Sequence, residues 1–236
     1  MLKKILCVVS VPLLLAFSNA QVLAIDADTV ERVKAAAAQG NAEAQYLLGV
    51  MYEKGRGVQQ DYAKARVWWE RAAAQGYADA QCYLGFVYAE GPGVLQDYAK
   101  ARDLFEKAAV QGNAEAQAWL GAMYYEDRIV RRDCARAREW FERAAAQGNV
   151  QAQGGLGSMY YKGRCVRQDY AMAREWLERA AVQGDADAQF NLGVLYAQGK
   201  GVRQDRRTAR KWFGKACDNG NQEGCERYRG LNKTGF

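Results

Sequence analysis

The sequence contains no histidine. That removes the usual general base of Ser-His-Asp and Cys-His nucleophile pairs and the imidazole ligand of the common catalytic zinc sites. Serine occurs only at 10, 18 and 158, so hydroxyl nucleophiles are few. Proline occurs twice, at 12 and 92. There is no Cys-x-x-Cys, and the scattered thiols do not have metal-site spacing. Beyond the first twenty residues no stretch is apolar enough to cross a bilayer. These absences lean away from enzymes and leave no cofactor or metal to be expected. What is present is a folding chain of 236 residues, half hydrophobic and one quarter charged.

Residues 1–20 read as a secretory signal peptide. Lys3 and Lys4 form a positive n-region, Ile5 to Phe17 an apolar core, and Ser18-Asn19-Ala20 a small-residue cleavage site, with a second candidate site after Ala24. Cleavage lowers the formal net charge from +6 to +4. The expected location is the bacterial periplasm or the exterior.

The rest is one motif written five times. Gln-Gly falls at 39–40, 75–76, 111–112, 147–148 and 183–184, followed by Asn219-Gly220, with the glycines 36 apart. A fixed period of this size signals stacked repeats. The units are 41–76, 77–112, 113–148, 149–184 and 185–220, within a repeat region 41–220. Segments 26–40 and 221–236 are expected to cap its ends. Each unit predicts two helices. The first, about 14 residues or ~21 Å long, starts at Asn41, Asn113, Asn149 or Asp185 as N-cap, with Tyr77 the exception. It ends at Gly55, Gly91, Gly163 or Gly199. Asp61, Asp97, Asp133, Asp169 and Asp205 cap the second.

Positions unchanged among the copies are expected to pack. In the first helix these are Ala44, Gln45, Leu48, Gly49 and Tyr52 with their equivalents. A helical glycine costs about 1 kcal/mol, so its return at 49, 85, 121, 157 and 193 implies a close helix neighbour. In the second helix Ala65, Trp68, Trp69, Ala72 and Ala73 play this part, and Trp68, Trp140, Trp176 and Trp212 read as core. Repeat three departs in its loop, where Asp127-Arg128-Ile129 replaces Gly-x-Gly. The change is read as drift or as a locally altered basic contact loop.

The pattern A-x-A-Q-x-x-L-G-x-x-Y-x-x-G-x-G-V-x-Q-D-Y-x-x-A-R-x-W-x-x-x-A-A-x-Q-G, matched closely by Ala42 to Gly76, resembles Sel1-like repeats, relatives of the tetratricopeptide repeat. The resemblance implies an all-α fold, a right-handed solenoid superhelix of antiparallel helix pairs, working as a binding scaffold. It also bears on the cysteines. Cys217 and Cys225, eight apart across a helix–turn–helix, resemble the bridging pair of cysteine-rich secreted relatives. Independently, Cys134 replaces the tyrosine of Tyr62, Tyr98 and Tyr170, and Cys165 the glycine of Gly57, Gly93 and Gly201. These two departures at neighbouring places suggest a second pair. Cys82 is left over, as a small buried hydrophobe or an exposed thiol.

As in related solenoids, the first helices should line a concave surface. Its variable positions carry Tyr46, Tyr83, Phe86, Trp119, Tyr125, Tyr161 and Phe190, with Leu47, Val50, Asn191 and Val194. Varied aromatics on one face suit a peptide or protein groove; the alternative is that several rings pack on neighbouring helices. Trp119 is the expected centre, with Gly154 and Gly155 leaving room beside it. Charge is uneven, −2 in the second unit and +3 in the fifth. Arg131, Arg167 and Arg203 share one loop position, with Arg132, Arg206 and Arg207 nearby. They are read first as a solvated face, then as a contact for an acidic partner, with nucleic acid least favoured. The function expected is a monomeric, exported, non-catalytic scaffold for a protein or peptide, in host interaction or in envelope processes. The alternative comes from relatives described as penicillin-binding or weak β-lactamases. It meets an obstacle: Ser158 is followed three residues later by Tyr161, not by the lysine of Ser-x-x-Lys.

Overall fold

In the computed structural model the described residues are 27–90, 96–126 and 133–233. They form twelve α-helices and no strand. These are α1 (Ala27–Ala38), α2 (Ala42–Lys54), α3 (Tyr62–Ala74), α4 (Ala78–Glu90), α5 (Tyr98–Val110) and α6 (Ala114–Glu126). They continue with α7 (Cys134–Ala146), α8 (Val150–Lys162), α9 (Tyr170–Val182), α10 (Ala186–Gln198), α11 (Arg206–Asp218) and α12 (Gln222–Lys233). The chain divides into two compact units, residues 1–116 and 117–236. Within each, successive helices pack on one another: α1 on α2, α2 on α3, α3 on α4 and α4 on α5 in the first, and α7 through α12 in order in the second. The architecture is a solenoid of helix pairs. The expected signal peptide, Gly91, Gly93 and the repeat-three loop with Arg131 and Arg132 lie outside the described residues.

Local chemistry sets the helix ends. Asn41, Asn149 and Asp185 sit in extended backbone and accept the N–H of Ala44, Ala152 and Ala188. Asp61, Asp97, Asp133, Asp169 and Asp205 cap the second helices in the same way. Between the two helices a glutamine folds the loop back. Gln60, Gln96, Gln168 and Gln204 donate from Nε2 to the carbonyls of Glu53, Ala89, Tyr161 and Ala197 at 2.7–2.9 Å.

The helical glycines mark where the pair closes. A Cβ on Gly85, Gly121, Gly157 or Gly193 would lie 2.6–2.8 Å from the side chain of Phe105, Phe141, Leu177 or Phe213, and Gly49 meets Trp69 in the same register. The side chain buried by the pair is therefore the residue after the tryptophan column, a ring in four of the repeats and Leu177 in repeat four. Trp68, Trp140, Trp176 and Trp212, expected as core, are half-buried at its edge. Each lies under a cation of its own helix, with Arg71, Arg143, Arg179 and Lys215 centred 4.5–4.8 Å from the ring. The long cationic stems cover the outer ring face while their heads stay in water.

The repeats are joined by a buried polar ladder. Gln45, Gln81, Gln117, Gln153 and Gln189 are 3–5 % exposed. In Gln45, Gln81, Gln153 and Gln189 the Nε2 donates to the carbonyls of Ala37, Ala73, Ala145 and Ala181, near the end of the preceding helix. The Oε1 of all five accepts from the amide that closes the repeat, on Gln75, Gln111, Gln147, Gln183 or Asn219, at 2.7–2.9 Å. One side chain thus satisfies the previous repeat and its own. A second clasp runs from Asn113 Nδ2 to Asp79 at 2.8 Å and from Asn221 Nδ2 to Asp187 at 2.7 Å.

Disulfides tie Cys134 to Cys165 (Cα–Cα 4.8 Å) and Cys217 to Cys225 (4.5 Å). Cys82, buried, belongs to neither. Cys165 is the one non-glycine with positive φ among the described residues, at 70°, where Gly57 and Gly201 have 69° and 66°. A Cβ on Gly201 would lie 2.7 Å from Cβ of Tyr170. In repeat four that place is held by Cys165, bonded to Cys134, the counterpart of Tyr170.

Two outcomes follow. Gln189→Leu removes two hydrogen bonds, to the Ala181 carbonyl and from the Asn219 amide, while the carbonyl keeps the Gly184 N–H and the exposed amide turns to water. It should cost about 1–3 kcal/mol in urea unfolding, and adding Asn219→Leu should cost less than the sum of the two changes. Burial, and secondarily Asp187, raise the Asp185 carboxyl above its ordinary value, against the Ala188 N–H. The folded state therefore holds that proton more tightly than the unfolded chain, and stability is lost as pH rises from the ordinary value through the raised one. Asp185→Asn keeps the cap used at 41, 113 and 149, and its melting temperature should gain on the parent through that window. A constant difference from pH 3 to 7 would contradict this.

Candidate functional site

The expected binding face is divided by burial. Tyr46, Trp119 and Tyr125 are 2, 3 and 8 % exposed. They are core in this structure, not exposed anchors, which corrects the central place given to Trp119. The backbone carbonyl of Tyr46 accepts the Trp69 indole N–H at 3.2 Å, and its ring lies 5.5 Å from Tyr77. Burial, helped by Asp79 and Glu43, pushes the Tyr77 phenol up to about 12. Tyr125 packs 6.4 Å from Phe141, beneath the guanidinium of Arg164 at 4.7 Å. The room expected at Gly155 is filled: a Cβ there would lie 2.9 Å from Phe141. Gly154 faces only Asp185, at 3.9 Å.

The remaining residues stay half-exposed. In the first unit, α4 brings Tyr83 and Phe86 together, with centroids 6.2 Å apart. The Tyr83 ring rests on Trp69 at 4.3 Å, and its hydroxyl donates to Glu53 at 2.5 Å. These contacts fix the ring's orientation without covering it. In the second unit Tyr161 lies 5.7 Å from Tyr170, and Phe190 lies 5.6 Å from Phe213. The structure does not bring Tyr161 and Phe190 together as it does Tyr83 and Phe86. What the Tyr83–Phe86 pair offers is rigid apolar area beside one hydroxyl and one carboxylate, a surface for contact and not for bond-making.

Sequence reasoning passed over a second feature. In the second unit Arg138, Tyr160, Val166, Arg167, Gln168 and Asp169 line an open depression of about 470 Å³. The available signal was a break in a column: Lys64, Lys100 and Arg136 are followed 36 residues later by Met172.

Five copies of the Sel1 repeat match the chain, at residues 42–77, 78–113, 114–149, 150–185 and 186–221. Among solved structures, a protective antigen present in uropathogenic Escherichia coli strains, displaying an SLR fold, is 38% identical with a TM-score of 0.80. The match covers 88% of this chain and 44% of that one, so this chain spans less than half of that relative's length. A Sel1 repeat protein from Oxalobacter formigenes is 32% identical with a TM-score of 0.82, covering 89% of this chain and 83% of its own. A third, from Klebsiella pneumoniae, is 27% identical with a TM-score of 0.57, covering 86% and 99%. No curated protein matches.

The burial of Trp119 reverses the expected effect of its removal. Trp119→Ala should lower stability by about 3–5 kcal/mol, measured by thermal or urea unfolding. An unchanged melting temperature would return Trp119 to the surface.

Proposed function

The chain belongs to the Sel1-repeat family, and from that premise we propose that it is an exported, non-catalytic scaffold that binds a protein or peptide on the first-helix face of its repeats. Sel1 repeats mediate protein interactions. The observation that carries the reading is the Tyr83–Phe86 pair of α4. The buried glutamines of the ladder are the same in every copy, whereas the positions of Tyr83 and Phe86 change, and in this repeat both rings are half-exposed. The Tyr83 ring, held by Trp69 and Glu53, loses little side-chain freedom on contact, which favours its use as an anchor. Tyr161 and Phe190 are secondary contacts in the second unit.

Export is supported by the two disulfides, which persist in oxidising compartments, and by the antigenic role of the E. coli relative. That role also favours an exposed location and host interaction over a purely internal envelope task. The β-lactam alternative gains nothing from the fold, since Ser158 lacks the lysine of Ser-x-x-Lys.

Crosslinking capture from envelope extract and, separately, from host-cell lysate tests the reading. The same partner should be recovered about thirtyfold less well by Tyr83→Ala/Phe86→Ala, equivalent to ~2 kcal/mol, while the variant keeps its cooperative melt. Undiminished capture by a folded variant overturns the assignment of this face.

A further inference from the structure

We propose that the depression between α7 and the loop before α9 is a second binding site, which takes a short acidic peptide segment. Three departures from the repeat pattern coincide there. The first concerns its aromatic wall. In the three preceding repeats the equivalent rings lie under a cation: Tyr52 under Lys64 at 5.6 Å, Tyr88 under Lys100 at 4.1 Å and Tyr124 under Arg136 at 5.4 Å. Repeat four has Met172 at that position, and Tyr160, half-buried, lines the depression instead.

The other two departures are Cys134 and Cys165. Their bridge joins α7, which carries Arg138 one turn after Cys134, to the loop that carries Val166 and Arg167 directly after Cys165. The two guanidinium-bearing elements are therefore held covalently in register, and a preorganised pair loses less freedom on binding.

The charge balance favours an anionic guest. Arg167 is exposed and has no ion-pair partner among the described residues. Arg138 meets Glu142 only through Nε at 3.6 Å, on an exposed helix face where such a pair contributes little. Asp169, the acid of the site, is engaged by the N–H groups of Ala171 and Met172 at 2.9 and 3.0 Å. Two separate arginines suit carboxylates, which they grip through paired N–H donors. Tyr160 and Val166 supply apolar contact for the side chain next to such a carboxylate. Two cations beside an aspartate make a poor track for a continuous phosphate backbone, which needs several neutralising contacts. A peptide that alternates acidic and apolar residues fits these walls best.

The test is fluorescence anisotropy of the full chain with a labelled pentapeptide alternating Glu and Leu, against its Gln-for-Glu counterpart. The acidic peptide should bind at least about tenfold more tightly, and the preference should shrink as salt rises. Arg138→Ala/Arg167→Ala should weaken binding by about tenfold or more with an unchanged melting temperature. Cys134→Tyr/Cys165→Gly, which restores the pattern of the other repeats, should also weaken it. Tyr83→Ala/Phe86→Ala should not, which separates this site from the first-helix face. Equal binding of the two peptides, or undiminished binding by the double arginine variant, overturns the proposal. So does saturable binding of an oligouridine or of phosphatidylglycerol vesicles by a protein that ignores the acidic peptide.

Discussion

Everything in this solenoid hangs on one buried amide per repeat. Gln45 and its equivalents carry two donors and an acceptor into the junction between successive repeats, where a carbonyl of the helix end accepts the glycine N–H that follows it and has a second lone pair to offer. A hydrophobic residue in that place would fill the volume and give up the bonds on both sides. A charged one would carry a heavy desolvation penalty. An amide answers both sides at once, and its geometry fixes how far and at what angle the next pair can lie. The small residues around it follow from this: alanines let the helix end approach, and the helical glycines let Trp69, Phe105, Phe141, Leu177 and Phe213 seat beneath. Stacking is thereby specified by hydrogen bonds and filled by rings, two requirements that separate positions in the repeat meet independently.

The Cys134–Cys165 bridge shows how such a periodic framework absorbs a local change. Two positions elsewhere held by tyrosine and glycine both carry cysteine, and Cys165 keeps the positive φ of the glycines it replaces. The pair converts a van der Waals contact between repeats into a covalent one, and it does so where the arginines gather.

How much of this the sequence made legible depends on the periodicity of each signal. The 36-residue glycine spacing, the aspartate caps and the recurrent helical glycine all repeat in phase, and from them the helix pairs and their order are readable. The tryptophan column misled because Trp68 and Trp69 are adjacent and both apolar. Only the glycine opposite tells which ring enters the core, and that is a fact of three dimensions. Trp119 misled for a different reason. Variation among copies was read as exposure, but volume is exchanged between neighbours: Tyr83 rests on Trp69, whereas at Gly155 the space is filled by Phe141, the equivalent of Trp69 in the repeat before. A position can vary freely and still be buried when its partner varies with it. The glutamine ladder was visible as an unchanging residue and invisible as a hydrogen-bond network, because the carbonyl it serves belongs to another repeat.

The bridge between Cys134 and Cys165 has a mechanical meaning. Its two ends lie 31 residues apart in the chain, nearly one repeat but out of phase with it, enclosing α7 and α8 instead of a single repeat. Pulled from its termini, the chain would yield helix by helix elsewhere, while this hairpin could loosen yet never lengthen. The enclosed segment withholds on the order of 100 Å of extended chain. For a protein exposed to shear or to a pulling partner, the middle of the array would act as a stop, holding α7, the loop after α8 and the arginines they carry together after the repeats on either side have come undone.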